Sequence, residues 1–205
     1  MTDRIQALLL IGPTGSGKTP LGDFLEQTGI EGPRCLHFDF GYNLRAAAEG
    51  ALAGITDEET GFIREVISDG ALLENETFYL ARNILTSYLT ARSYSPGDIL
   101  LLNGLPRHRG QAESMGTLVR VETVVSLSCS PETVYERIRL NTGGDRTQRD
   151  DDQIELIRKK IAVFNERTLP LVDYYRSKGA ETAFLEVEVN TVPRDLARSI
   201  QGKQL

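Results

Sequence analysis

Cysteine and histidine are scarce in this chain, two of each in 205 residues. Cys35 and Cys129 have no CxxC spacing and no cluster of histidine partners, which argues against a zinc site and a secreted disulfide framework. Reduced, buried thiols in a cytoplasmic protein are the expectation. A long hydrophobic run is also missing. The apolar stretch Ala7 to Ile11 is too short for a signal peptide or a membrane span, and nothing longer follows. No membrane partner is expected. Nor is there a basic excess: 23 Lys and Arg stand against 29 Asp and Glu, for a net charge of −6 and a pI near 5.1. That balance speaks against binding a nucleic-acid backbone, yet leaves room for a small anion held by a local cluster of cations. Repeats and low-complexity tracts are absent. The length suffices for one good core and would crowd two, so a single domain over 1–205 is expected.

What is present is an alternation of strand-like and helix-like segments. Continuous apolar runs lie at Ala7 to Ile11, Arg34 to Phe38, Asp98 to Asn103, Thr123 to Ser128 and Thr182 to Val189. Runs of this kind suit parallel strands covered on both faces. Helical spacing marks Leu21 to Gln27, Asp57 to Ser68, Asn75 to Arg92 and Arg194 to Gln201, while Ser130-Pro131-Glu132 reads as a helix start. Asp151 to Ser177 reads as a long helix that Pro170 kinks or breaks. The fold class that follows is α/β, a three-layer, doubly wound, five-stranded parallel sheet whose ligands sit at the carboxyl ends of the strands.

The first strand runs into Gly12-Pro13-Thr14-Gly15-Ser16-Gly17-Lys18-Thr19, which fits G-x-x-x-x-G-K-[ST] at every fixed position. Glycines let the backbone turn tightly, so that its N–H groups and the following helix N-terminus face phosphate oxygens. Lys18 then reaches the β- and γ-phosphates of ATP, and the Thr19 hydroxyl ligates Mg²⁺.

Further segments carry a resemblance. Leu102-Asn103-Gly104-Leu105-Pro106-Arg107 with Gln111 resembles the [DN]-G-[FYL]-P-R-x-x-x-Q segment of adenylate kinases. His37 to Arg45 resembles their second-strand segment. Ser130 to Arg137 resembles the helix leading into their lid. Arg149-Asp150-Asp151-Asp152 and Leu169 to Tyr175 resemble the lid exit and the helix after it. The resemblance implies a P-loop kinase that moves a phosphoryl group from Mg²⁺-ATP to a nucleoside monophosphate, AMP first, and works as a monomer. It implies an acceptor-binding helical insert at 40–75 and a short lid at 138–150. It further implies that Arg45, Gly104 and Arg107 hold the acceptor phosphate and that Gln111 reads the adenine edge. Lys18, Arg107, Arg137 and Arg149 would act on the transferring phosphoryl, with Arg146 a competitor of Arg149. Arginine-rich sites without a strong base suit this reaction, because the acceptor phosphate is already largely ionised.

The chain departs from that pattern at Asn103, where an aspartate near Mg²⁺ is usual, and at Phe40 and Tyr42, which replace smaller or polar residues. Its lid stretch, Asn141 to Gln148, is short, and Lys160 stands where arginine is usual. Asp39, at the end of the second strand, has three readings: a replacement carboxylate near Mg²⁺, a base toward a hydroxyl acceptor, or a turn-capping residue. Two rival functions therefore stay open, a kinase of a small hydroxyl substrate using Asp39 and a weakly catalytic nucleotide sensor.

Overall fold

The computed structural model describes residues 4–30, 32–52, 54–145 and 154–201. Its apolar runs form strands β1 (Ile5–Ile11), β2 (Cys35–Asp39), β3 (Ile99–Asn103), β4 (Val119–Ser128) and β5 (Glu181–Glu186). They make one five-stranded parallel sheet in the order β2-β3-β1-β4-β5. The chain reverses direction of travel at β1, and the crevice beside that switch point is where such sheets bind ligands.

Both faces of the sheet are covered, which is why the strands need no alternation of polar residues. Leu9 and Ile11 of β1 join Phe38, Leu100 and Leu102 in one core, packed by helices α4 (Phe78–Ala91) and α8 (Leu171–Ser177). Leu8 and Leu10 point the other way, into a core with Leu101, Val125 and helices α1 (Lys18–Thr28) and α9 (Pro193–Gln201). Edge strand β2 is protected by side chains. The His37 N–H donates to Glu26 of α1 at 2.9 Å, and the Tyr88 hydroxyl donates to the His37 carbonyl at 2.8 Å. Burial pushes the Tyr88 phenol up to about 12.

Local chemistry sets the remaining helices. α2 (Phe40–Ala48) is N-capped by Asp39. α3 (Asp57–Ser68) opens on a capping box in which Thr56 and Glu59 satisfy each other's N–H groups. α5 (Arg109–Met115), too short for a periodic signal, follows the Pro106-Arg107 turn. α6 (Pro131–Leu140) has Ser130 as N-cap and proline in its first turn, as its sequence predicts. α7 (Ile154–Val163) buries Ile157.

Strand β4 differs from the sequence expectation. It starts at Val119 rather than Thr123, because exposed Arg120 and Glu122 interrupt its apolar run where the pairing with β1 shifts register. The long helix expected over Asp151 to Ser177 is broken at Pro170, as its sequence predicts. After α7 the chain widens into a π turn, Phe164–Thr168, with Leu169 N–H bonded to the Phe164 carbonyl, and α8 starts after Pro170. Proline has no N–H and its ring displaces the carbonyl four residues earlier, so the wider turn relieves that clash. Among the described residues, no helix is long and apolar enough to cross a membrane.

Candidate active site

The Gly12–Thr19 loop joins β1 to α1 at the carboxyl end of the sheet. Gly15 and Gly17 hold φ values of 76° and 92°, which L side chains rarely adopt. At Gly12 a Cβ would come 2.5 Å from Ser16 Oγ. Gly12, Thr14, Gly15, Gly17, Lys18 and Thr19 line the cleft above the loop. Pro13 and Ser16 do not. The Ser16 N–H bonds the Pro13 carbonyl, and its fully buried hydroxyl has no partner among the described residues, so these two shape the loop rather than line it. Lys18 Nζ donates to the Gly12 and Pro13 carbonyls at 2.7 and 2.8 Å, which folds the side chain back over the loop.

Opposite the loop, the parallel register of β2 and β3 sets Asp39 beside Asn103. Asp39 Oδ1 accepts the Tyr42 N–H at 2.9 Å, capping α2. Its Oδ2 accepts from the Thr19 hydroxyl at 2.5 Å and from Asn103 Nδ2 at 3.0 Å. The capping position and the position near the loop thus meet in one carboxylate, each on its own oxygen. A carboxylate that accepts from these three donors is fixed in place, with a hard oxygen beside the Thr19 hydroxyl. The adjacent hydroxyl and carboxylate fit Mg²⁺, which commonly takes one or two protein oxygens and fills its octahedron with phosphate and water. Among the described residues no cluster of three or more His, Cys, Asp or Glu side chains forms a protein-only metal cage.

Arg45, in the last turn of α2, and Arg107, after the Leu105-Pro106 cis peptide, line the same cleft as Lys18. Arg107 Nε donates to the Gly104 carbonyl at 2.9 Å, across a left-handed glycine that also lines the cleft. The rest of that side is mostly apolar, with Leu44, Val66, Ile67, Leu72, Val163 and Phe164. The π turn brings Phe164 and Thr168 into this wall, and Thr168 donates to the Arg107 carbonyl at 2.7 Å. Lys160 and Asp145 also line the cleft. Asp145 and Thr168 carried no recognisable signal in the sequence.

Two sequence-predicted residues sit elsewhere than expected. Arg137 was read as a lid charge, but it is 4% exposed and its guanidinium is committed to backbone. Nε donates to the Gly15 carbonyl at 3.1 Å, while Nη1 donates to the carbonyls of Glu188, Val189 and Thr191. Burial lowers its pKa from the usual arginine value. It braces the phosphate loop against the segment after β5. Gln111 was read as an adenine reader, but it is 1% exposed and both ends of its amide are engaged. Its oxygen accepts the Arg107 N–H at 2.7 Å, and its nitrogen donates to the Leu73 carbonyl at 2.7 Å. His108 Nε2 meets the same carbonyl at 3.1 Å, and Glu74 pairs with Arg167. Gln111 therefore fastens the Arg107 turn to the end of the segment that carries α3. Arg149 and Arg146 lie outside the described residues.

Comparison with known proteins agrees with this geometry. The family described as "AAA domain" matches residues 8–158. An adenylate kinase of Synechococcus sp. strain WH7803 is 34% identical over 181 residues, covering 85% of this chain and 86% of that protein. An adenylate kinase of Haloarcula marismortui is 26% identical over 220 residues, covering 95% and 94%. UMP-CMP kinase 1 of Oryza sativa subsp. japonica is 28% identical over 180 residues, covering 86% of this chain and 65% of that protein.

Proposed function

The chain belongs to the AAA-domain P-loop family and is an adenylate kinase-like nucleoside monophosphate kinase, and from that premise we propose that it phosphorylates AMP with Mg²⁺-ATP. The observation that carries the proposal is one cleft lined by the phosphate loop, Lys18, Arg45 and Arg107. Phosphoryl transfer between two nucleotides needs positioning and positive charge more than covalent chemistry. The loop N–H groups and Lys18 would bind the ATP phosphates. Arg45 and Arg107 would clamp the acceptor phosphate, for which a planar guanidinium fork is suited. Gly104 holds a φ of 82°, which L side chains rarely adopt, and in that conformation its carbonyl accepts from Arg107 Nε.

Thr19 and Asp39 would hold Mg²⁺, which supplies charge neutralisation between the phosphates when bound. Residues 40–75 would cover the acceptor, and residues 138–150 would form the short lid over the phosphates. Lys160 would add charge from α7, whereas Arg137 would act only by bracing the loop. The protein would work as a monomer, with the residues proposed for both phosphate groups lining one cleft of one chain.

AMP leads because the Synechococcus relative, at 34% identity, is an adenylate kinase. A pyrimidine monophosphate is the second reading, favoured by the engaged amide of Gln111, which leaves the base to an apolar wall. Turnover of AMP, CMP, UMP, GMP and dNMPs with Mg²⁺-ATP decides between them. AMP should show the highest kcat/KM; a tenfold advantage for UMP or CMP would establish the second reading instead. A hydroxyl kinase would leave every monophosphate untouched.

A further inference from the structure

Beside the Asp39–Asn103 pair lies a buried imidazole that the phosphoryl-transfer chemistry does not use. The His37 side chain is 2% exposed and sits between the sheet and α1. Gly22 of α1 makes room for it: a Cβ there would come 2.3 Å from His37 Nε2. His37 Nδ1 lies 2.8 Å from Oδ1 of Asp23, whose side chain is 54% exposed, and Nε2 lies 3.3 Å from Asn103 Nδ2.

These contacts dictate a direction. An ionised carboxylate only accepts, so Nδ1 carries a proton and donates to Asp23. With that proton on Nδ1, Nε2 offers a lone pair to the Asn103 amide nitrogen. The same nitrogen lies 3.0 Å from Asp39 Oδ2 and 3.1 Å from the Thr19 hydroxyl oxygen, so its two hydrogens are shared among three acceptors. Turned over, the amide would set its oxygen against both that lone pair and the Asp39 carboxylate. An asparagine amide can ordinarily adopt either sense; here Asp39, Thr19 and His37, its ring oriented by Asp23, all select the same one.

We propose that His37 is a positioning residue for Asp39. By accepting from Asn103 it keeps the amide NH₂ turned toward Asp39 Oδ2, and so holds that oxygen beside the Thr19 hydroxyl. The proposal rests on the reading of Thr19 and Asp39 as Mg²⁺ ligands. Its relation to the metal is indirect, through Asn103, as with the outer hydrogen-bond partners of other metal sites, whose loss costs roughly 10–100-fold in affinity or activity.

Two substitutions separate positioning from packing. His37→Gln retains an acceptor near Nε2 but loses the ring, whereas His37→Phe retains the ring and loses the acceptor. The measurement is Mn²⁺ binding to the protein–ADP complex by electron paramagnetic resonance, with metal-free ADP affinity and the thermal midpoint recorded alongside. Positioning predicts Mn²⁺ affinity within about 3-fold of native for H37Q and lowered about 10-fold or more for H37F, with metal-free ADP affinity unchanged in both. Native affinity in H37F, or equal losses in the two variants, overturns the proposal. Should H37F fail to fold, Asp23→Ala removes the tautomer-selecting carboxylate from an exposed position. It should weaken Mn²⁺ at least about 3-fold, and an unchanged affinity there also overturns the proposal. Asp39→Asn is the control for the underlying reading. If it leaves Mn²⁺ binding unchanged, the metal-ligand reading falls and the positioning role with it; if it weakens binding while H37F does not, the positioning role falls alone.

Discussion

Exchanging the two side chains that face each other across β2 and β3 offers a demanding test of the metal-ligand reading. Asp39 and Asn103 are register partners, and Nδ2 of one lies 3.0 Å from Oδ2 of the other. Asp39→Asn removes the pair's charge and the acceptor of the Thr19 hydroxyl. It leaves α2 capped, because asparagine is as good an N-cap as aspartate. Loss of a metal-ligating carboxylate should lower kcat/KM with Mg²⁺-ATP about 100-fold. Asn103→Asp instead sets two carboxylates about 3 Å apart, where their repulsion at an effective dielectric near 20 is about 5 kcal/mol. One of them would keep a proton near neutrality, and activity should fall about tenfold. The double variant restores one charge to the pair and should recover to within about tenfold of native. Recovery stops short of complete because His37 Nε2 would then face a carboxylate. The assay is a coupled kinase measurement across a Mg²⁺ titration for all four proteins, read as a double-mutant cycle. A double variant no more active than the product of the two single losses would refute the reasoning.

Other expectations concern stability. Arg137→Met keeps the stem volume and removes donations to the carbonyls of Gly15, Glu188, Val189 and Thr191. Water can replace part of that in the loop, so the cost should be about 3 kcal/mol rather than the sum of the bonds, a fall of roughly 6–12 °C in Tm. A change under about 2 °C with a pure kcat loss would return Arg137 to the lid. Ser16→Ala deletes a buried hydroxyl with no partner among the described residues, so it should be neutral or stabilise by up to about 1 kcal/mol in urea unfolding. A loss larger than that would mean that the hydroxyl is bonded. The Arg34 hydrogen bond first, then the Ser95 N–H and the Arg34 charge, hold Asp98 below the usual carboxylate range against the opposing effect of burial. A depressed folded value means stability that is complete above the unfolded value near about 4 and lost as pH falls through the folded one. The gap in urea midpoint between native protein and Asp98→Asn should therefore close below about pH 4; a constant gap would contradict it.

The phosphate loop was legible because its chemistry lies in the backbone, and backbone demands are written as fixed spacings of glycine. The strands were legible for a similar reason, except at the start of β4, where Arg120 and Glu122 break the apolar run. Charged side chains were another matter. Arg137 matched its motif position, but the partners that decide its role lie 51 to 54 residues later, after β5, and 122 residues earlier, at Gly15. Gln111 likewise matched a motif while its amide is bound to Leu73, 38 residues earlier. Spacing along one helix reports which face a side chain occupies, and says nothing of a carbonyl brought there by another segment. Asp39 and Asn103 make the same point from the opposite side. Read along β3 alone, Asn103 is a lost carboxylate. Read across the sheet, the charge stands one strand over at the same register, 2.5 Å from the Thr19 hydroxyl. Neighbouring parallel strands can exchange side chains at one level with little change in what reaches the crevice, and a linear motif records only the loss. The missing aspartate, taken alone, pointed toward a weakened kinase; beside Asp39 it leaves the cleft with a carboxylate at the same level on β2, which is what the metal-ligand proposal requires.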